Sequence, residues 1–219
     1  MALNKLKFSS INVTPVANQA IKFNSSANGF ETGSAGGAVT FIKKLTASSS
    51  STLSFVDGSS DVVLDNTYKE YLFIFNNIHP ATDKVYFTFQ GSTDSGSNYN
   101  TTVTTTNFSA YHFENQSATE LAYRSSDDSQ QSTDFINIAQ RVGSDNDQSI
   151  SGSLQLFNPS STTFVKHFLS RTDTYNADNI SFDVITAGYF NTTSAIDAIQ
   201  FKLASGNIDA GTITLYGIN

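Results

Sequence analysis

Gly152-Ser153-Leu154-Gln155-Leu156-Phe157-Asn158-Pro159 alternates apolar and polar side chains and then stops at a turn pair. Two further stretches do the same, Thr163-Phe164-Val165-Lys166-His167-Phe168 and Gly211-Thr212-Ile213-Thr214-Leu215-Tyr216-Gly217-Ile218. Alternation with period two puts successive side chains on opposite faces of an extended strand, one dry and one wet. Between these stretches lie Asn158-Pro159-Ser160-Ser161, Asn176-Ala177-Asp178-Asn179 and Ser205-Gly206-Asn207. Their side chains bond back to the main chain or tolerate positive φ, so each reads as a turn. The last third of the sequence is therefore antiparallel sheet.

Working outward, the same pattern recurs with turn residues between the segments. Strands are predicted over 39–45, 52–56, 69–76, 84–90, 108–114, 149–157, 163–169, 180–187, 195–203 and 211–218. This spacing suits a sandwich or barrel. One segment departs from it: Phe135, Ile138, Ala139 and Val142 fall at helical spacing, with Ser132 or Thr133 as cap and Gly143 as stop, which predicts one short helix. An eight-stranded jelly roll with extra edge strands accounts for the count, because packing two sheets face to face deals with their open edges. An immunoglobulin-like sandwich is the rival, and the sequence holds neither the Cys nor the Trp of its usual frame.

The first residues read differently. Leu3, Leu6, Phe8, Ile11 and Val13 alternate in short bits, Pro15 intervenes, Ile21-Lys22-Phe23 follows, and a Gly-rich link runs from Gly29 to Gly37. Residues 1–38 are thus expected to be an extended arm with a flexible joint, whose apolar residues hook onto another surface. The alternative is that they form the first strand of the same sandwich. Residues 39–219 form the body. The predicted class is all-β, an antiparallel jelly-roll-like β-sandwich with an extended N-terminal arm and one short helix.

Composition narrows the function. The 219 residues suffice for one core plus an arm. Ser, Thr and Asn make up roughly a third of them, and charged residues only 14%, so the surface is hydroxyl and amide. Eighteen Phe and nine Tyr supply aromatic bulk for a β core. A net charge of −7 opposes nucleic acid and anionic membrane surfaces, and no Lys/Arg cluster exceeds Lys43-Lys44. Without cysteine there is no disulfide frame, thiolate zinc site or cysteine nucleophile. No charged segment with an apolar run marks a signal peptide, and no apolar run reaches the about 18 residues of a membrane span, so cytoplasmic synthesis without membrane insertion is expected.

Concentrated chemistry is not predicted. His79, His112 and His167 lie in separate segments, outside any His-Glu-x-x-His pattern, and no Gly-x-Ser-x-Gly elbow occurs. Asp127-Asp128 and the pair Asp145 and Asp147 fall in hydrophilic segments, where capping and turn formation explain them. Asp145-Asn146-Asp147 has a faint calcium-loop look but lacks the later Gly and Glu of an EF-hand. The expectation is no enzyme, no cofactor and no metal. Tyr99, Tyr111, Tyr123 and Tyr175 lie in or near polar loops beside Asn and Asp, which suits glycan binding; the alternative is rings packed on the core rim with wet hydroxyls.

Several segments also resemble a known group: 71–83, beginning Tyr71-Leu72-Phe73-Ile74-Phe75-Asn76-Asn77; Asn146-Asp147-Gln148-Ser149 through Leu156-Phe157-Asn158-Pro159-Ser160-Ser161; Ala187-Gly188-Tyr189-Phe190-Asn191-Thr192-Thr193; and Ser205-Gly206-Asn207-Ile208-Asp209-Ala210-Gly211. The openings Ala2-Leu3-Asn4-Lys5 and Phe23-Asn24-Ser25-Ser26 fit as well. Over nearly its whole length the chain is similar to structural virion proteins of tailed phages of marine bacteria, cyanophages among them. The resemblance implies a fibre, spike or decoration protein located in the virion, partnered by other virion proteins and forming a homotrimer, as such appendages often close on threefold axes. It implies no catalytic or ligand residue. On this reading Leu3, Leu6, Phe8, Ile11, Val13, Ile21 and Phe23 dock the arm on the particle. A carbohydrate-binding module for host-surface glycans is the second expectation, and a polysaccharide depolymerase the third.

Overall fold

The computed structural model describes residues 13–14, 20–33 and 38–219. Contacts divide the chain into two units, Met1–Ala38 and Val39–Asn219. In the first, β1 (Ala20–Phe23) and β2 (Phe30–Gly33) form an antiparallel hairpin with Phe23 opposite Phe30. Its turn is held by Asn24, whose Nδ2 donates to Asn28 Oδ1 at 2.9 Å, and Ala27 takes up the left-handed backbone at φ 53°. The Gly-rich stretch that reads as a joint therefore begins with a strand. Phe23 and Phe30 stack at 5.0 Å between centroids and stay 67% and 47% exposed. Of the predicted docking residues, Ile21 and Phe23 lie on β1 and are exposed, Val13 is half-buried, and Leu3, Leu6, Phe8 and Ile11 lie outside the described residues.

The body is all-β and antiparallel. Its strands are β3 (Val39–Thr46), β4 (Leu53–Val56), β5 (Glu70–Pro80), β6 (Val85–Ser92), β7 (Val103–Phe113), β8 (Thr119–Tyr123), β9 (Gln130–Ser132), β10 (Ile136–Val142), β11 (Ile150–Phe157), β12 (Lys166–Tyr175), β13 (Ile180–Phe190), β14 (Ala198–Leu203) and β15 (Ile208–Ile218). Four pairs are nested: β3 with β15, β4 with β14, β5 with β11 and β6 with β10. Nested pairs describe one long hairpin, and rolling it up adds the contacts β15 to β5 and β14 to β6. The outcome is two sheets ordered β3-β15-β5-β11 and β4-β14-β6-β10, which is a jelly roll. Two insertions, β7 to β9 and β12 to β13, do not make a second body. They continue the first sheet past β11 as β12-β13-β7-β8, with β9 also pairing β7.

The core lies between the two sheets. Alternate residues of β5 (Tyr71, Phe73, Phe75), β6 (Phe87, Phe89), β11 (Leu154, Leu156) and β15 (Ile213, Leu215) are fully buried. Phe201 of β14 stands at the centre, with the rings of Phe75, Phe73, Phe87, Phe89 and Phe55 at 5.2, 5.3, 5.9, 6.1 and 6.3 Å.

The predicted helix at 135–142 is a strand. β10 pairs β6 with register shifts between Asn137 and Ala139 and between Ala139 and Val142, and Arg141 has φ 51°. These bulges bury Ile138, Ala139 and Gln140 in succession, which breaks period two and imitates helical spacing.

The far edge of β10 explains the polar interior beneath the insertions. Asn107 Nδ2 and Thr186 Oγ1 donate to the Asn137 carbonyl at 3.3 and 3.2 Å, and Thr172 Oγ1 donates to the Ile138 carbonyl. Side chains of the large sheet thus satisfy carbonyls that an edge strand would otherwise leave unpaired. Thr172→Val keeps the shape but orphans the buried Ile138 carbonyl. It is expected to cost about 1–3 kcal/mol in denaturant melts. A change within a few tenths would remove this seam from the account of stability.

Candidate binding face on the large sheet

Along β12 the residues Phe168, Ser170, Thr172 and Thr174 turn inward and are buried, so His167, Leu169, Arg171, Asp173 and Tyr175 line the outer face. Register sets their neighbours. His167 is opposite Tyr189 of β13, their rings 6.0 Å apart, and Asp173 is opposite Asp183. Two carboxylates facing each other repel. Arg171 relieves this from the diagonal position, its Nε 3.0 Å from Asp183 Oδ1 and its Nη2 2.8 Å from Asp183 Oδ2. That bidentate pairing raises the guanidinium pKa further above its ordinary value. Ser181 Oγ donates to Asp173 Oδ1 at 3.2 Å.

Three depressions follow one another along this strand. The first, about 370 Å³, is lined by Phe157, His167, Leu169, Ala187 and Tyr189. The second, about 500 Å³, is polar and lies over Ser151, Ser153, Arg171, Asp173, Ser181 and Asp183. The third, about 280 Å³, is formed by His112, Glu114, Asp173, Tyr175 and Ser181. Partial burial and the nearby Glu114 raise the Tyr175 hydroxyl pKa, and the hydroxyl donates to Asn179 Oδ1 at 3.1 Å. Gly188 keeps the sheet tight beneath the first depression. A Cβ there would come within 2.6 Å of the Thr104 carbonyl oxygen and 2.8 Å of the Phe168 ring.

The four tyrosines singled out from sequence are not brought together. Tyr175 lies in the third depression. Tyr123 is exposed on the outer face of β8, opposite Phe108, and its hydroxyl binds Asp128. Tyr99 is half-buried in the loop after β6, beside Gly96. In that loop Asp94 accepts from Ser92 Oγ at 2.6 Å and from Asn98, which holds its carboxyl at about 2. Tyr111 points to the other face of the sheet, into a cleft of about 250 Å³, where it stacks on Phe182 at 5.6 Å. The Arg124 guanidinium lies over both rings at 5.7 and 5.8 Å, held by Glu120 at 2.8 Å and Ser109 at 2.7 Å.

The carboxylates noted from sequence have local partners. Asp127 is buried, accepting from Gln140 Nε2 at 2.8 Å and Asn137 Nδ2 at 3.2 Å, and burial raises its pKa. Asp147 lines a polar depression with His79 and Asp209, while the adjacent turn closes through Gln148 N to the Asp145 carbonyl at 2.9 Å. Among the described residues no three His, Asp or Glu side chains converge to hold a metal ion.

Sequence reasoning missed Arg171, Asp183 and Tyr189. The alternation that begins at Thr163 would have placed His167 and Leu169 outward, but it fades at Ser170-Arg171-Thr172-Asp173-Thr174, where both faces are polar. Compared with family models, curated proteins and solved structures, the chain matches none.

Proposed function

We propose that this chain is a structural component of a tailed-phage particle, of the fibre, spike or decoration kind, which docks through residues 1–38 and displays the jelly-roll body. The observation that carries the reading is the exposed Phe23–Phe30 pair on a unit separate from the body. A stacked aromatic pair left in water gains from burial against a partner surface. The body supports the same reading, since among the described residues its buried hydrophobic core runs from Ala47 to Leu215. Its hydroxyl- and amide-rich surface, with a net charge of −7 on the whole chain, suits a protein packed at high local concentration. The sequence resemblance adds the kind of particle.

Deleting residues 1–38 is expected to leave a folded body that no longer enters particles. Mass spectrometry of purified particles, scaled to the major capsid protein, measures this. Many copies per particle would make the protein a capsid decoration, and a few copies a tail or neck fibre. Absence of the full-length chain, or normal incorporation of the truncated one, would overturn the proposal. Light scattering on the full chain tests the homotrimer.

A further inference from the structure

We infer that the trough along β12 is a binding site for a linear, uncharged polysaccharide, a reading that stands apart from where the protein is mounted. From His167 to Tyr175 is eight residue steps, and at 3.3–3.4 Å each the trough runs for about 27 Å. Its ends are aromatic, His167 with Tyr189 at one and Tyr175 with His112 at the other. Its middle is polar. That order fits a chain of pyranose rings, whose C–H faces pack on aromatic and apolar surface and whose hydroxyls need paired donors and acceptors.

Arg171 and Asp183 provide such pairing. Two of the five N–H donors of Arg171 are spent on Asp183, and among the described residues the others have no partner, on a side chain that is 70% exposed. The Asp173 carboxylate beside them accepts from Ser181 through one oxygen, and the other is open to a hydroxyl. The ion pair also orients the guanidinium, so little side-chain freedom is lost when a ligand arrives.

Charge and topology separate this occupant from two others. A polyanion would meet Asp173, Asp183 and Glu114 against a single guanidinium already paired to a carboxylate. A peptide that extends a sheet needs a free strand edge, and the trough runs over the face of β12, which pairs on both sides with β11 and β13.

The full chain is titrated by calorimetry with neutral linear glucan and mannan oligosaccharides of increasing length. Alginate serves as polyanion, and an extended neutral peptide as control. Affinity is expected to rise with oligosaccharide length and level off once the chain spans the trough. Arg171→Ala and Tyr189→Ala are each expected to weaken it by about tenfold or more, from loss of a charge-assisted hydrogen bond or an aromatic platform. Tyr111→Ala, on the opposite face, should leave affinity unchanged, and unaltered melting of the variants excludes unfolding. The inference fails if no neutral glycan binds, if a disaccharide already reaches full affinity, or if alginate or the peptide binds better. It also fails if the Arg171 and Tyr189 variants bind normally, or if Arg171→Ala abolishes self-association instead, which would assign the face to a second copy. None of these results bears on docking by residues 1–38, which particle incorporation reads separately.

Discussion

Replacing Phe201 with alanine is expected to remove a large share of the stability of the body. Phe201 is fully buried, and five phenylalanine rings lie within 6.3 Å of its own, contributed by β4, β5 and β6. Truncation removes the transfer energy of the ring and leaves a hole between two sheets that cannot close without breaking ladder hydrogen bonds. Buried Phe→Ala changes cost about 3–5 kcal/mol, against about 5–15 kcal/mol of total stability in ordinary domains. Phe41→Ala is the control. Phe41 is 58% exposed on β3, with Tyr216 edge-on at 6.0 Å, and its loss should cost no more than about 1 kcal/mol. Denaturant melts of both variants decide the matter. A Phe201 variant as stable as the Phe41 variant would mean that the ring cluster is not the centre of the core.

Lys166 gives the second large effect, with the opposite sign. It is the first residue of β12 and turns inward to complete burial, where its ammonium donates to the Thr192 carbonyl at 3.0 Å. Among the described residues no carboxylate lies within ion-pair distance of it. Burial holds its pKa below the ordinary lysine value. A lysine pKa that falls on folding means the folded state disfavours the charged form. The full cost is therefore present at all pH values below the folded pKa. It is relieved as pH rises from the folded to the unfolded value, where the unfolded chain binds the extra proton. Lys166→Met fills similar volume without the charge. It should stabilise the protein at neutral pH by about 1 kcal/mol or more, with an advantage that shrinks as pH approaches about 10.4. Paired melts across that range check both statements, and a variant less stable than the natural chain at pH 7 would refute the first.

The central jelly roll was legible because its strands face a hydrocarbon core. Glu70–Pro80, Val85–Ser92, Ile150–Phe157 and Ile208–Ile218 carry the alternation, and each coincides with a strand predicted from sequence, several of them longer than predicted. The sheet extension was legible only in part. The inner residues of β7 and β12, Thr105, Asn107, Ser109, Ser170, Thr172 and Thr174, are nearly or fully buried, yet they are polar, and Asn107 and Thr172 hydrogen-bond the carbonyls of an edge strand. A polar interior leaves no hydrophobic signature, so the start of β7 and the end of β12 read as loop. The same cause hid the trough, whose outer residues can be assigned a face only once β12 is known to continue to Tyr175. Strand β10 was misread for the converse reason, since its bulges place apolar residues where a helix would. The four tyrosines were chosen by neighbouring loop composition, which does not encode register, and only register assigns Tyr175 and Tyr189 to one face and Tyr111 to the other.

The nested pairing also sets the order in which the chain is able to fold. Among the described residues β3, which opens the body, has only β15 as its ladder partner, and β4 has only β14. During synthesis both must wait, solvated, until nearly all the intervening residues have emerged, and closing so long a loop comes before any contact repays it. The run β11-β12-β13 is different, a meander whose neighbours in sequence are neighbours in the sheet. The insertion can therefore assemble first and offer β5 and β7 a template. A chain that stalls before β15 has both partners of β6 in place, β10 and β14, but leaves one edge of the Phe-rich β5 unpaired and open to aggregation.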